Sequence, residues 1–185
     1  PVNITEAHSD TAVTLNVKAD DNLQRTRIEI FVPKKSNLVI NTDSEIRVDG
    51  ISGNIDLTGE DGAINVRDSD GKLSVANGDG RIRVIGFKGE VQTTTGDGAT
   101  MLEGDFDKVT AKADSGEIIL TLPETASATI KSRSSDTRIE GLPLGVTKQK
   151  DENREYRLGS GGHIFDLSTD GQVVLRSSNS LQELL

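Results

Sequence analysis

A glycine returns every nine residues through the middle of this chain, at Gly53, Gly62, Gly71, Gly80, Gly89, Gly98 and Gly116, with Asp107 in the one gap. Two and four residues beyond these positions the side chains are almost all aliphatic. The pairs are Ile55/Leu57, Ile64/Val66, Leu73/Val75, Ile82/Val84, Val91/Thr93, Thr100/Leu102, Val109/Ala111 and Ile118/Leu120. A short fixed period marks a repeat whose units bury their apolar side only against a neighbour. Apolar residues at these offsets alternate with polar ones, which is the period of a strand with one buried face.

Nine residues are too few to encircle a core, so the expected repeat is twice that. The predicted fold class is all-β: a single-stranded β-solenoid (β-helix) with 18-residue coils made of two nine-residue half-coils. The turns alternate in kind to match. One set reads Glu60-Asp61-Gly62, Gly78-Asp79-Gly80, Gly96-Asp97-Gly98 and Asp114-Ser115-Gly116; the other includes Gly86-Phe87-Lys88-Gly89 and Gly104-Asp105-Phe106-Asp107. Asp-Gly is also a hairpin signal, so an antiparallel meander is the rival. Constant spacing over eight units favours the solenoid, because hairpin loops vary in length.

An 18-residue coil makes four inward columns. They are Ile55-Leu73-Val91-Val109, Leu57-Val75-Thr93-Ala111, Ile64-Ile82-Thr100-Ile118 and Val66-Val84-Leu102-Leu120. It also puts Asn54, Lys72, Glu90 and Lys108 side by side on the outside, with opposite charges on adjacent rungs.

One domain over 1–185 is expected. Residues 1–43 read as N-terminal strands or a cap, 44–122 as the regular repeat, and 123–185 as irregular C-terminal coils and a cap. Val13-Leu15-Val17 and Ile28-Ile30-Val32 alternate like strands, separated by Asp20-Asp21-Asn22. Ala128-Thr129-Ile130 and Arg138-Ile139-Glu140 read as strands, and the repeat returns at Gly171, Val173 and Leu175. Lys148 to Arg157 is dense in charge and reads as an exposed loop, the default for such a segment, with a partner-binding loop as the alternative. Gly159-Ser160-Gly161-Gly162 reads as a loop, and Leu181 to Leu185 as a tail or helical turn.

With 30 Asp and Glu against 21 Lys and Arg, the net charge is -9. That disfavours nucleic acid and anionic membrane surfaces as partners. No run approaches the roughly 18–20 apolar residues of a spanning helix, so no direct membrane insertion is expected. The absence of cysteine removes disulfides and thiolate metal sites. The chain opens at Pro1 without Met, as a processed or trimmed product would.

The chain resembles a bacterial family of β-strand-repeat domains of unknown function that carries an adhesin label. The residues that carry the likeness are Val48-Asp49-Gly50-Ile51-Ser52-Gly53-Asn54-Ile55-Asp56-Leu57 and Thr95-Gly96-Asp97-Gly98. Ile30-Phe31-Val32-Pro33, Gly162 and Asp170-Gly171-Gln172-Val173-Val174-Leu175 extend it over residues 10 to 177. The resemblance implies a β-solenoid, an exported setting at the periplasm or cell surface, and no described catalytic residues.

No catalytic, cofactor-binding or metal-ligating residue is therefore assigned, and no cofactor is expected. His8 and His163, the only histidines, read as surface residues. Gly-Asp-Gly turns suggest a calcium-binding β-roll, but its ligand aspartate should fall where Ile82 and Thr100 stand. A carbohydrate-binding or polysaccharide-acting β-helix would need clustered acids; Asp56, Glu90 and Glu103 do not stack in one column, and Arg81 and Arg83 read as a solvated face. The expected function is a non-catalytic envelope scaffold or interaction module. Its partner would be a protein or an envelope polymer, and self-association through solenoid edges is a further expectation.

Overall fold

The computed structural model describes residues 2–9, 12–19 and 27–181. Contacts divide the chain into two compact units, Pro1–Val32 and Pro33–Leu185. In the first, β1 (Val2–His8) and β2 (Val13–Ala19) form an antiparallel hairpin with Ile4 opposite Val17. Val13-Leu15-Val17 is thus a strand, paired antiparallel with its local partner β1. Ile28 to Val32 alternates just as well and forms no strand; Ile28, Ile30 and Phe31 are exposed. Alternation makes a strand only where a neighbouring ladder takes up the backbone N–H and C=O groups, and none among the described residues does so here. The expected break at Asp20 to Asn22 lies outside the described residues.

The second unit holds β3 (Leu38–Asn41), β4 (Ile46–Asp49), β5 (Ser52–Thr58), β6 (Ile64–Arg67), β7 (Asp70–Ala76), β8 (Ile82–Thr95) and β9 (Thr100–Ala113). These are followed by β10 (Ile118–Leu122), β11 (Ala128–Arg133), β12 (Asp136–Glu140), β13 (Gly145–Lys150), β14 (Asn153–Leu158), β15 (His163–Ser168) and β16 (Gln172–Ser177). A 3-10 turn spans Ser178–Leu181, residues 182–185 lie outside the described residues, and no α-helix occurs among the described ones.

The strands line up in two ladders that share the long strands β8 and β9. In the first, Ile55 pairs with Leu73, Leu73 with Val91 and Val91 with Val109, all parallel. In the second, Ile46 pairs with Ile64, Ile64 with Ile82, Ile82 with Thr100 and Thr100 with Ile118, again parallel. Partners are 18 residues apart, so the antiparallel meander is excluded for this region. All four expected columns point inward, and their members are at most 2 % exposed. Each large aliphatic contributes roughly 1.5–3 kcal/mol by leaving water, set against about 1–2 kcal/mol per residue for ordering the backbone.

The gap in the glycine series is a bulge. Gly89 pairs with Phe106 and Glu90 with Lys108, so Asp107 is an extra residue and Phe106 occupies the glycine's place. Gly86 is the matching extra residue on β8. Both insertions turn a ring into this corner: Phe87 and Phe106 are buried, and Phe106 meets the Phe165 ring edge-on at 6.4 Å.

The C-terminal strands do not stack in chain order. β15 pairs with β9 on one side and β11 on the other, and β16 lies between β10 and β12 in the same way. The last rung in sequence is therefore an inner rung, with the earlier strands β11 and β12 outside it. The charged stretch is not a loop either. It lies mostly in an antiparallel hairpin of β13 and β14, the latter also antiparallel to β11. Tyr156 and Leu158 of β14 are buried in the core cluster while every residue of β13 is exposed. Two apolar positions among so many charges were too few to show a strand.

Two core hydroxyls, Thr93 Oγ1 and Thr100 Oγ1, are buried without a hydrogen-bond partner. They flank the same turn, on either side of Thr95 to Gly98. Replacing an orphaned hydroxyl by a methyl removes its desolvation cost, so Thr93→Val should gain about 1 kcal/mol. A rise in the urea midpoint checks this.

Candidate interaction surface

Strand alternation sends one row of side chains into the core and the next into water. On the first ladder the outward rows are Asn54-Lys72-Glu90-Lys108 and Asp56-Ser74-Gln92-Thr110. Parallel strands stack these residues about 4.8 Å apart, and together they line an open groove of about 420 Å³. The expected charge alternation is real: Lys72 Nζ lies 3.3 Å from Glu90 Oε2, with both side chains well exposed. Such a pair sets register more than it adds stability, about 0.2–1 kcal/mol. The second ladder differs. Ile119 and Val174 stand at its outward positions yet are buried, so β10 and β16 are covered on both faces. The first ladder thus carries the open polar face.

The acids weighed for carbohydrate chemistry are not brought together. Asp56 and Glu90 sit in different rows of the first ladder, Glu90 engaged with Lys72, and Glu103 lies on the second ladder opposite Ile85 and Thr121. Arg83 stands between Asn65 and Met101 on that second ladder. Arg47 is held above the ordinary guanidinium range by the hydrogen bond and charge of Asp49, which accepts its Nε–H at 2.7 Å; it is a fixed cation. His8 sits 2.8 Å from Glu6 on the hairpin of the first unit. His163 is exposed, its Nδ1 2.9 Å from the Asp107 carbonyl oxygen. No nucleophile adjoins either imidazole through any of these contacts.

The turn carboxylates have a structural use. Asp79 Oδ1 accepts the Asp97 N–H at 3.3 Å, and Asp97 Oδ1 accepts the Ser115 hydroxyl at 2.6 Å. Each carboxylate thereby ties its turn to the next rung. At the opposite corner Ser52 Oγ donates to Asp70 Oδ2 at 2.6 Å. Among the described residues no cluster of three His, Cys, Asp or Glu side chains could hold a metal. Millimolar calcium should therefore leave the melting temperature unchanged; a rise of many degrees would make these turns ion ligands.

An all-β fold of mostly parallel ladders, with glycine corners and an open polar outer face, defines the class. Residues 2–175 match the family model Toastrack DUF4097, and the chain belongs to that family of domains of unknown function. The adhesin label attached to the resemblance gains no support from this match. No curated protein matches the chain, and no solved structure does.

Proposed function

We propose that the second unit is a single-stranded β-solenoid with 18-residue coils of two half-coils, and that it works as a non-catalytic interaction module at the bacterial cell envelope. In this reading the outer face of the first ladder meets a partner protein or an envelope polymer, and no covalent chemistry takes place. The observation that carries it is the pair of unbroken outward rows, Asn54 to Lys108 and Asp56 to Thr110, presented on four consecutive parallel strands. Regular rungs hold these side chains at fixed intervals, so a complementary surface binds without first ordering them.

The test is co-sedimentation of the purified chain with bacterial envelope fractions, with soluble sugar release measured in the same tubes. Binding is expected, and Lys72→Glu with Lys108→Glu should weaken it at least tenfold, while Arg83→Glu on the second ladder should not. Equal binding by all three proteins would remove the first ladder from the interface. Release of reducing sugar would favour a polysaccharide-acting protein instead.

A further inference from the structure

A second groove, of about 590 Å³, lies at the far end of the first ladder, where β15, β11, β14 and β13 run side by side. Its lining is entirely polar, in a chain whose net charge is -9. Ladder register sorts all its charges but Arg154 into two rows. In one, Asp166, Lys131, Glu155 and Lys148 alternate in sign, and Lys148 Nζ lies 3.8 Å from Glu155 Oε2. That row is self-neutralising. The other runs Ser168, Arg133, Asn153, Lys150, continues by register to Lys112 on β9 beside the groove, and contains no acid. Its three cations stand two rungs apart, about 10 Å, with a neutral hydrogen-bonding side chain on each rung between them. Ser168 Oγ accepts the Arg133 Nε–H at 3.1 Å, which orients the guanidinium and leaves its terminal N–H groups open to an oxyanion. None of Lys112, Arg133 and Lys150 has an ion pair among the described residues. Arg154 also borders the groove, but its Nη1 is engaged by the Ser134 carbonyl oxygen at 3.4 Å.

We propose that this acid-free row is a binding track for a linear phosphate-bearing polymer, laid across the strands with its phosphoryl oxygens on Lys112, Arg133 and Lys150. Ser168 and Asn153 supply neutral hydrogen bonds between the charged stations. An acidic protein segment fits the groove poorly, since tight protein contacts rest on aromatic or apolar anchors in pockets and this lining has none. Single-stranded nucleic acid lacks its usual stacking platform for the same reason, the only nearby tyrosine, Tyr156, being buried. The overall negative charge opposes approach from afar, but screening over about 8 Å at physiological salt leaves the local row in control at contact. The track uses other residues than the open face proposed above, so either can fail without the other.

The experiment titrates the whole chain with a labelled polyphosphate chain, with poly(glycerol phosphate), with oligothymidylate and with polyglutamate, at low and physiological salt. Saturable binding of polyphosphate or poly(glycerol phosphate) is expected, and which of the two is tighter distinguishes a phosphoanhydride from a phosphodiester polymer. Affinity should fall steeply with salt, as release of about three counterions requires. Arg133→Gln with Lys150→Gln should lose at least tenfold, and Lys72→Gln with Lys108→Gln on the other groove should lose nothing. Both double variants change exposed side chains, and an unchanged melting temperature confirms that they fold. No binding of either phosphate polymer at low salt, or equal loss in the two variants, overturns the proposal. So does polyglutamate or oligothymidylate binding as tightly as the phosphate polymers, which would assign the groove to an acidic peptide or to nucleic acid.

Discussion

Ending the chain after Ser160 should unfold far more than the residues removed. The cut deletes β15 and β16, which are the last strands in sequence but lie between β9/β10 and β11/β12. Phe165, Leu167, Val173 and Leu175 are each at most 2 % exposed, so their loss forfeits roughly 6–12 kcal/mol of burial at 1.5–3 kcal/mol each. A typical domain has about 5–15 kcal/mol of net stability. β11, β12 and the β13–β14 hairpin then lose the rung that joins them to the remainder. Hydrogen exchange should show residues 128–158 unprotected in the truncated chain while residues 64–95 keep at least part of their protection. Had the rungs stacked in chain order, 128–140 would sit directly on 108–122, and the same cut would cost only an end rung.

The second large effect is expected at a corner glycine. Gly98 does not lie in the left-handed region, so conformational freedom is not what it supplies. A Cβ built there would stand 2.4 Å from the Gly80 carbonyl oxygen and 2.7 Å from that of Asp79, both in the backbone of the rung beneath. Backbone cannot swing aside as a flexible side chain can, so Gly98→Ala should cost about 3 kcal/mol or more by forcing two rungs apart. Gly145 is the control: nothing lies within 4 Å of its built Cβ, and Gly145→Ala should be neutral or slightly stabilising, within about 1 kcal/mol. Paired urea denaturation of the two variants measures the difference. Equal midpoints would mean that the rungs are not in contact at the Gly80–Gly98 corner.

That corner shows what sequence could and could not tell. The nine-residue glycine spacing was legible because one steric demand recurs at both corners, at Gly53, Gly71 and Gly89 as at Gly62, Gly80, Gly98 and Gly116, each facing backbone of the preceding rung. Gly71 and Gly89, at the alternate corners, also have positive φ. The inward columns were legible because Ile64, Ile82 and Ile118 repeat one alternation without drift. The order of the last rungs was not legible, for the same reason. Val173 and Leu175 carry the pattern of every other rung, and a pattern that fits any parallel edge does not say which edge it meets. Strand β14 was hidden because only Tyr156 and Leu158 mark its buried face among Arg154, Glu155 and Arg157. The outward rows of the first ladder followed from the 18-residue step, whereas the acid-free row did not. Its members come from β9, β15, β11, β14 and β13, and only the inserted rung brings Lys112 and Arg133 to either side of Ser168.

Disulfide trapping tests the 18-residue step directly, because the chain contains no cysteine of its own. Ser74 and Gln92 are outward partners on adjacent parallel strands, about 4.8 Å apart and within disulfide reach. Ser74→Cys with Gln92→Cys should oxidise rapidly and completely in the folded protein, while Ser74→Cys with Arg83→Cys, nine residues apart on different ladders, should stay reduced. Rapid closure of the 74–83 pair with an open 74–92 pair would mean hairpins instead of stacked rungs, and would contradict the account.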